Sequence, residues 1–243
     1  MYEVNHFLSE DVDMSTIAVI GTGRVGLGFA EAAVAAGHQV VLANSRGPET
    51  LTDEVTSLGA SAVADTVDGA AARADMVLLA VPLHSYADLP ASALDGRIVM
   101  DAGNYYTDWS GHIAELDDES TTTSERLQGM FPSARVVKAF NSIYAEDIAV
   151  DARPLGGDRR ALPVAGDDEG AKQAVTDLIE SIGFDVVDAG ALSEGWRFQR
   201  GTDAYVVPLN RDELISALQH ARRYRDMETD DLTTERTHRM PQD

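Results

Sequence analysis

The chain has 243 residues, 44% of them hydrophobic, which is enough for one sizeable core or for one domain with a smaller appendage. It contains no cysteine, which excludes disulfides, thiolate metal sites, iron–sulfur clusters and a cysteine nucleophile. A formal net charge of -22, from 41 acidic and 19 basic residues, makes nucleic acid a poor partner, because phosphate backbones need clustered cations.

Residues 1–14 show no hydrophobic period and read as a flexible extension. Residues 15–20 form a short apolar run that stops at Gly21, the pattern of a buried strand. Small apolar residues and helix formers fill residues 25–36, and Gly37 closes them as a helix cap would. A second strand covers residues 39–43, and a helix follows from Pro48 to about Leu58. Residues 60–63 are a weak third strand and residues 65–72 a short helix. Residues 76–81 are the clearest buried strand, stopped by Pro82, and residues 97–101 are the fifth. Residues 105–123, rich in Asp, Ser, Thr and Gly, read as a long loop, followed by a helix over 124–128 with Ser124 as its cap. A sixth strand covers 134–140, and residues 151–160 are a loop or linker. Then come a strand over 162–166, an amphipathic helix over 167–182 closed by Gly183, and a last strand over 184–188. A terminal helix is predicted over 213–227, with a polar, disordered tail over 228–243.

This alternation is that of an α/β fold: a Rossmann-type, doubly wound, mostly parallel sheet with helices on both faces and a small C-terminal extension. The expected division is a dinucleotide-binding domain over residues 15–150 and a C-terminal α/β portion over 151–227 that completes the sheet and carries the acceptor and dimer region. No apolar run approaches the ~18 residues of a membrane span. The acidic N-terminus lacks the apolar region of a signal peptide. A soluble, cytoplasmic protein with no membrane partner is expected. Lys138 and Lys172 are the two lysines, a bias that fits either a salt-rich cytoplasm or genome composition.

The motif Gly21-Thr22-Gly23-Arg24-Val25-Gly26 lies between the first strand and the first helix, the context that turns a common glycine pattern into a dinucleotide signature. The first glycine permits the turn, the second lets backbone approach a pyrophosphate, and the third lets the helix pack on the sheet. The pyrophosphate would rest on the helix N-terminus. At the end of the second strand, NAD-binding chains place Asp or Glu for the ribose hydroxyls. Here Asn44-Ser45-Arg46 stands instead. A carboxylate would repel a 2′-phosphate, whereas Ser45 can donate to it and Arg46 can pair with it. NADP(H) is therefore the expected cofactor, and Arg24 is a further candidate for the adenine or the phosphate.

These two motifs continue into Val136-Val137-Lys138-Ala139-Phe140-Asn141, Leu162-Pro163-Val164-Ala165-Gly166-Asp167-Asp168 and Ile182-Gly183-Phe184-Asp185-Val186-Val187-Asp188-Ala189-Gly190. In that order and spacing, the chain resembles the coenzyme F420-dependent NADP oxidoreductases, over about residues 16–205. It is similar also to the NADPH-binding domain of the STEAP ferric reductases. The resemblance implies hydride transfer between NADP(H) and coenzyme F420 or a flavin as co-substrate. It implies a nicotinamide wall of Ala80, Val81, Pro82 and Leu83 with the turn Asp101-Ala102-Gly103-Asn104. The segment Phe140-Asn141-Ser142-Ile143 would line the side of the small-molecule redox acceptor. It also implies a homodimer through the segment after the last strand, residues 194–205.

Hydride transfer between two rings needs proximity and orientation more than a catalytic side chain, so no catalytic residue and no metal ligand is assigned. Two other readings stay open. A reductase of a small carbonyl or imine would use His84 or Lys138 as proton donor. A non-catalytic NADP(H)-binding sensor would need neither. Lys138 could equally be a structural lysine paired with a carboxylate. Tyr105 and Tyr106 could stack on a ring or pack the long loop.

Overall fold

The computed structural model describes residues 14–153 and 158–223. The extension expected over 1–14, apart from Met14, and the tail expected over 228–243 lie outside the described residues.

Eight strands form one sheet: β1 (Thr16–Ile20), β2 (Gln39–Ala43), β3 (Ala62–Ala64), β4 (Met76–Leu79), β5 (Ile98–Asp101), β6 (Arg135–Lys138), β7 (Ala161–Gly166) and β8 (Asp185–Asp188). Their order is β3-β2-β1-β4-β5-β6-β7-β8. Every neighbouring pair is parallel except β6 and β7, which run antiparallel. The strand order reverses between β1 and β4, the switch point where ligands of open α/β sheets bind. The expected doubly wound, mostly parallel α/β sheet is thus found.

Alternate strand residues feed two cores. Ile17, Val19, Val40, Leu42, Met76 and Leu78 pack on one face, with Phe29 and Phe140. Ala18, Ile20, Val41, Val77, Leu79 and Val99 pack on the other. Both faces are covered, which is why these strands read as continuous apolar runs. Pro163 in β7 lacks an N–H, yet β6 pairs with β7 through Gly166 and Ala165 and not through Pro163. The missing donor therefore interrupts no ladder on that side.

The helices are α1 (Arg24–Ala35), α2 (Thr52–Leu58), α3 (Val67–Arg73), α4 (Ala91–Leu94), α5 (Thr107–Ser110), α6 (Ala114–Asp117), α7 (Thr123–Met130), α8 (Ala145–Asp151), α9 (Glu169–Ile182) and α10 (Arg211–His220). Several differ from the sequence expectation in ways that have a physical cause. The cap of α7 is Thr122, in a capping box with Glu125, and Ser124 is a buried residue inside the first turn. The loop expected over 105–123 contains α5 and α6, and the Tyr105 hydroxyl staples it by donating to Asp117 at 2.6 Å and accepting from the Ile113 N–H at 3.0 Å. The linker expected over 151–160 is preceded by α8, a helix that no local pattern in the sequence predicts. The terminal helix starts earlier, after the Asn210 cap, and ends at His220. No helix among the described residues is long and apolar enough to cross a membrane.

His38, 1% exposed, ties the start of β1 to α9. Its Nδ1 accepts from the Ser15 N–H at 3.2 Å, and its Nε2 lies 2.8 Å from Ser181 Oγ. Ser181 Oγ donates to the Leu178 carbonyl, so Nε2 carries the proton and Nδ1 must stay bare. Burial pushes this imidazole below its ordinary value of 6.5. The unfolded chain then binds the extra proton more readily, so the contribution of His38 is intact above pH 6.5 and is lost as pH falls below it. We expect His38→Gln to show a shallower fall of Tm between about pH 8 and pH 5 than the wild type, by differential scanning fluorimetry. Parallel acid profiles would contradict this role.

Candidate functional site

The glycine turn leaves β1 at Gly21 and enters α1 at Arg24. Gly21 has φ of 103°, and a Cβ there would stand 2.3 Å from the Ala80 carbonyl oxygen. Its N–H donates to the Ala43 carbonyl at 2.9 Å, joining the ends of β1 and β2. A Cβ on Gly26 would stand 1.9 Å from the Gly21 carbonyl oxygen, so Gly26 is needed for the helix to approach the turn. Gly23 differs from both. It is exposed, its backbone is extended (φ -79°, ψ -172°), and a Cβ there would meet no heavy atom within 4 Å. Neither strain nor packing requires glycine there. What a Cβ at Gly23 would fill is the approach to the first turn of α1, which has no side-chain cap and no acidic residue. Free N–H groups and the helix dipole make that turn attractive to an anion. Thr22 and Val25 flank it half-buried, and Arg24 is exposed, pairing with Glu146 of α8 at 3.1 Å.

Asn44 follows β2 and organises the second motif. Its Oδ1 accepts from the Arg46 N–H at 2.8 Å, and its Nδ2 donates to Thr50 Oγ1 at 3.0 Å. Nδ2 also reaches Thr22 Oγ1 at 3.5 Å, so Asn44 links the two motifs. Ser45 and Arg46 are exposed. Among the described residues, nothing pairs with the Arg46 guanidinium.

Across the switch point, Ala80 and Val81 are half-buried and Pro82 is exposed at the end of β4. His84, in the 3₁₀ turn Leu83–Asp88, is exposed. At the end of β5, a polar cluster lies beneath the surface. Asp101 is 0% and Lys138 1% exposed, and they are register partners across β5 and β6. Asp101 Oδ1 accepts from the Tyr86 hydroxyl at 2.6 Å and the Gly103 N–H at 2.9 Å, while Oδ2 accepts from Ser124 Oγ at 2.6 Å. Lys138 Nζ donates to the Gly103 carbonyl at 3.1 Å and to Thr123 Oγ1 at 3.0 Å. Burial pushes the Lys138 amine down, opposed by the Asp101 charge, and burial with the same charge pushes the Tyr86 phenol well up. Lys138 therefore has the carboxylate neighbour of a structural lysine. Tyr86 and Ser124, the other members of the cluster, are not evident in the sequence; polar residues at strand and helix ends within apolar surroundings are the available signal.

Asn104 and Asn141 join the ends of β5 and β6. Asn104 Nδ2 donates to the Asn141 carbonyl at 2.9 Å, and Asn141 Nδ2 donates to Asn104 Oδ1 at 3.2 Å and to the Phe198 carbonyl at 3.0 Å. Among the described residues, Asn141 Oδ1 is buried without a partner. The preceding Phe140 has φ of 60°, rare for an aromatic residue, and is held by edge-on contact with Phe29 at 5.0 Å. Tyr106 lies beside this wall. Its hydroxyl bonds to that of Tyr205, its ring contacts Trp109 at 4.5 Å, and the Arg200 guanidinium lies 4.9 Å over it. Trp196 and Phe198 pack within the chain, Trp196 between Arg197 and Arg223 at 4.6 Å each. The structure thus gathers every sequence-predicted site residue along one edge of the sheet, at the carboxyl ends of β1, β2, β4, β5 and β6.

Comparison with known proteins bears on the chemistry. The family model of the coenzyme F420-dependent NADP oxidoreductases matches residues 16–105. The chain is 30% identical over 179 residues to the metalloreductase STEAP3 of Rattus norvegicus, across 73% of this chain and 34% of that protein. It thus spans about a third of the length of this curated relative. A solved hypothetical protein of Sinorhizobium meliloti is 36% identical, with TM-score 0.73, covering 82% of this chain and 97% of its own. A candidate F420-dependent NADP-reductase of Arthrobacter sp. FB24 is 29% identical, with TM-score 0.62, covering 72% of this chain and 84% of its own. Over residues 16–105 the chain thus resembles the coenzyme F420-dependent NADP oxidoreductases, on a Rossmann-type fold.

Proposed function

We propose that the chain binds NADP(H) along this edge and exchanges a hydride between it and coenzyme F420 or a flavin. The observation that carries the reading is the combination of Gly23, whose missing side chain opens the α1 N-terminus, with the exposed Arg46 at the end of β2, whose guanidinium has no partner among the described residues. The first suits a pyrophosphate and the second a 2′-phosphate. Thr22, Arg24, Val25 and Gly26 would line the pyrophosphate, and Asn44 and Ser45 the ribose phosphate.

When bound, NADPH supplies the hydride. Ala80, Val81 and Pro82 would flank the nicotinamide on one side, and Gly103 and Asn104 on the other. Asn141 would face the acceptor, with Tyr106 and Arg200 offering an aromatic and cationic surface to a planar anionic ring. No side chain is required to take part in bond making; the protein orients two rings and excludes water. Lys138 is too buried, and too fully engaged, to act as the proton donor of a carbonyl reductase. His84 is exposed and is the residue that such a reading needs. A homodimer and a cytoplasmic setting belong to the same proposal.

Mixing purified protein with NADPH and F420 is expected to bleach the deazaflavin absorbance, with FMN, FAD and a carbonyl panel assayed in parallel. Activity on carbonyls alone, lost in His84→Ala, would overturn the assignment. Tight NADPH binding with no turnover on any acceptor would favour a sensor.

A further inference from the structure

We infer that the buried pair Asp101–Lys138 is a clamp that positions the Gly103–Asn104 turn against the nicotinamide half of the cofactor. The inference rests on the proposed NADP(H) site, and it assigns to Lys138 a positioning role that acts through Gly103.

The bonds of the cluster converge on one residue's backbone. The Gly103 N–H is held by Asp101 Oδ1 at 2.9 Å, and the Gly103 carbonyl by Lys138 Nζ at 3.1 Å. Opposite charges therefore grip both backbone groups of the same residue. Tyr86 closes the third side, since a Cβ on Gly103 would stand 2.0 Å from its hydroxyl. Ser124 and Thr123, at the start of α7, brace the two charges from behind. Gly195 lies against the lysine stem, where a Cβ would stand 2.7 Å from Cδ, so the segment Leu192–Phe198 seals the pair from that side.

A pair that merely joined β5 to β6 would not need this arrangement. The ladder between those strands already runs from Ile98 to Asp101. Apolar side chains of like volume often hold such a junction as well as two buried opposite charges do. The two residues instead grip Gly103, the second residue beyond the strand, where no ladder continues. The next residue, Asn104, is locked in turn to Asn141. The order of constraint thus runs from the buried charges to Gly103, to Asn104, and to the wall of the proposed ring site. Two charges buried with their polar atoms satisfied give a turn that cannot drift, which is what a hydride transfer across a short gap requires.

The test uses the full-length chain and two variants. The double variant Asp101→Asn/Lys138→Met removes both charges together, so that neither is left uncompensated. The variant Ser124→Ala removes one donor to Asp101 and keeps both charges, so a result stands even if the double variant does not fold. Dissociation constants for NADP⁺ and for 2′,5′-ADP, which lacks the nicotinamide half, are measured by calorimetry. The double variant is expected to bind 2′,5′-ADP as the wild type does, and NADP⁺ about tenfold more weakly, the equivalent of one or two lost contacts. Ser124→Ala should move the same ratio in the same direction by less. The single-turnover rate of hydride transfer should fall by roughly 10- to 100-fold in the double variant, the usual effect of a misplaced reactant. Equal weakening of both ligands, or an unchanged ratio in the folded variants, overturns the clamp. Absence of hydride transfer in the wild type would sink the proposed function instead, and the ratio of the two dissociation constants would still judge the clamp.

Discussion

Replacing Gly23 with valine is expected to leave the fold intact and to abolish NADPH binding. The backbone at Gly23 is extended and open to any residue, and a Cβ there meets no heavy atom within 4 Å. Removing a glycine restricts the unfolded chain, a gain of about 0.4–1 kcal/mol, which offsets the similar cost of placing valine at the N-cap of α1, so stability changes little. The loss appears in binding. Branched methyl groups over the first turn of α1 would hold a pyrophosphate away from the N–H groups. Each charge-assisted hydrogen bond given up is worth ~1.5–3 kcal/mol, so losing two costs at least about 100-fold in affinity. Gly26→Ala makes the opposite prediction. Its Cβ would stand 1.9 Å from a backbone oxygen, a clash no rotamer relieves, so α1 must lift from the sheet. Overpacking of this kind costs about 1–3 kcal/mol, which lowers Tm by several degrees in a chain of this size, at roughly 2–4 °C per kcal/mol. Titration with NADPH and thermal melts of the two variants separate these effects. A Gly23→Val protein that binds NADPH like the wild type would remove the glycine turn from the cofactor site.

The contrast between these glycines shows which features a sequence can carry. Gly21, Gly23 and Gly26 act within six residues, so their spacing alone states their roles. The central strands are legible for a similar reason: β1, β2, β4 and β5 are apolar runs bounded by Gly, Pro or a charged residue, and burial on both faces keeps them apolar. Helix starts are harder. Thr121, Thr122, Thr123 and Ser124 are four consecutive cap candidates. The spacing from Thr122 to Glu125 decides among them through the capping box, and Ser124 is then free to serve Asp101. Helix α8 buries Ile148 and little else of its own, and exists because it packs on α1, where a Cβ on Gly28 would stand 2.6 Å from the Ala145 carbonyl. No local pattern encodes that. The reversal of β7 is likewise a matter of how the chain returns to β6 and not of the composition of the strand. The Asp101–Lys138 cluster is legible only as a lysine in an apolar strand, because Asp101 and Lys138 meet through strand register while Tyr86 and Ser124 reach them from the turn after β4 and from α7.

Arg46→Ala is expected to weaken NADPH binding by roughly 10- to 100-fold and to leave NADH binding unchanged, the value of one or two charge-assisted hydrogen bonds to a 2′-phosphate. The two cofactors differ by that phosphate alone, so the difference between their losses reads the arginine directly. The backbone of Arg46 is already placed: Asn44 Oδ1 holds its N–H at 2.8 Å, and Asn44 Nδ2 anchors the same loop to Thr50. Binding therefore orders a side chain and not a loop, which keeps the entropic cost small. The charge balance of the protein raises the stakes. At a net charge of -22, the long-range field repels NADPH, and the exposed Arg46 guanidinium at the end of β2 supplies the local attraction that offsets it. Two opposed salt effects follow. Salt screens the general repulsion for both cofactors, and it weakens the contact between Arg46 and the phosphate for NADPH alone. The preference of the wild type for NADPH over NADH should therefore narrow as salt rises, while Arg46→Ala, lacking the contact, should show a preference that is small and insensitive to salt. Dissociation constants for both cofactors across a salt series, in both proteins, measure this directly. Equal losses for NADPH and NADH in Arg46→Ala would mean that the arginine shapes the loop and does not read the phosphate.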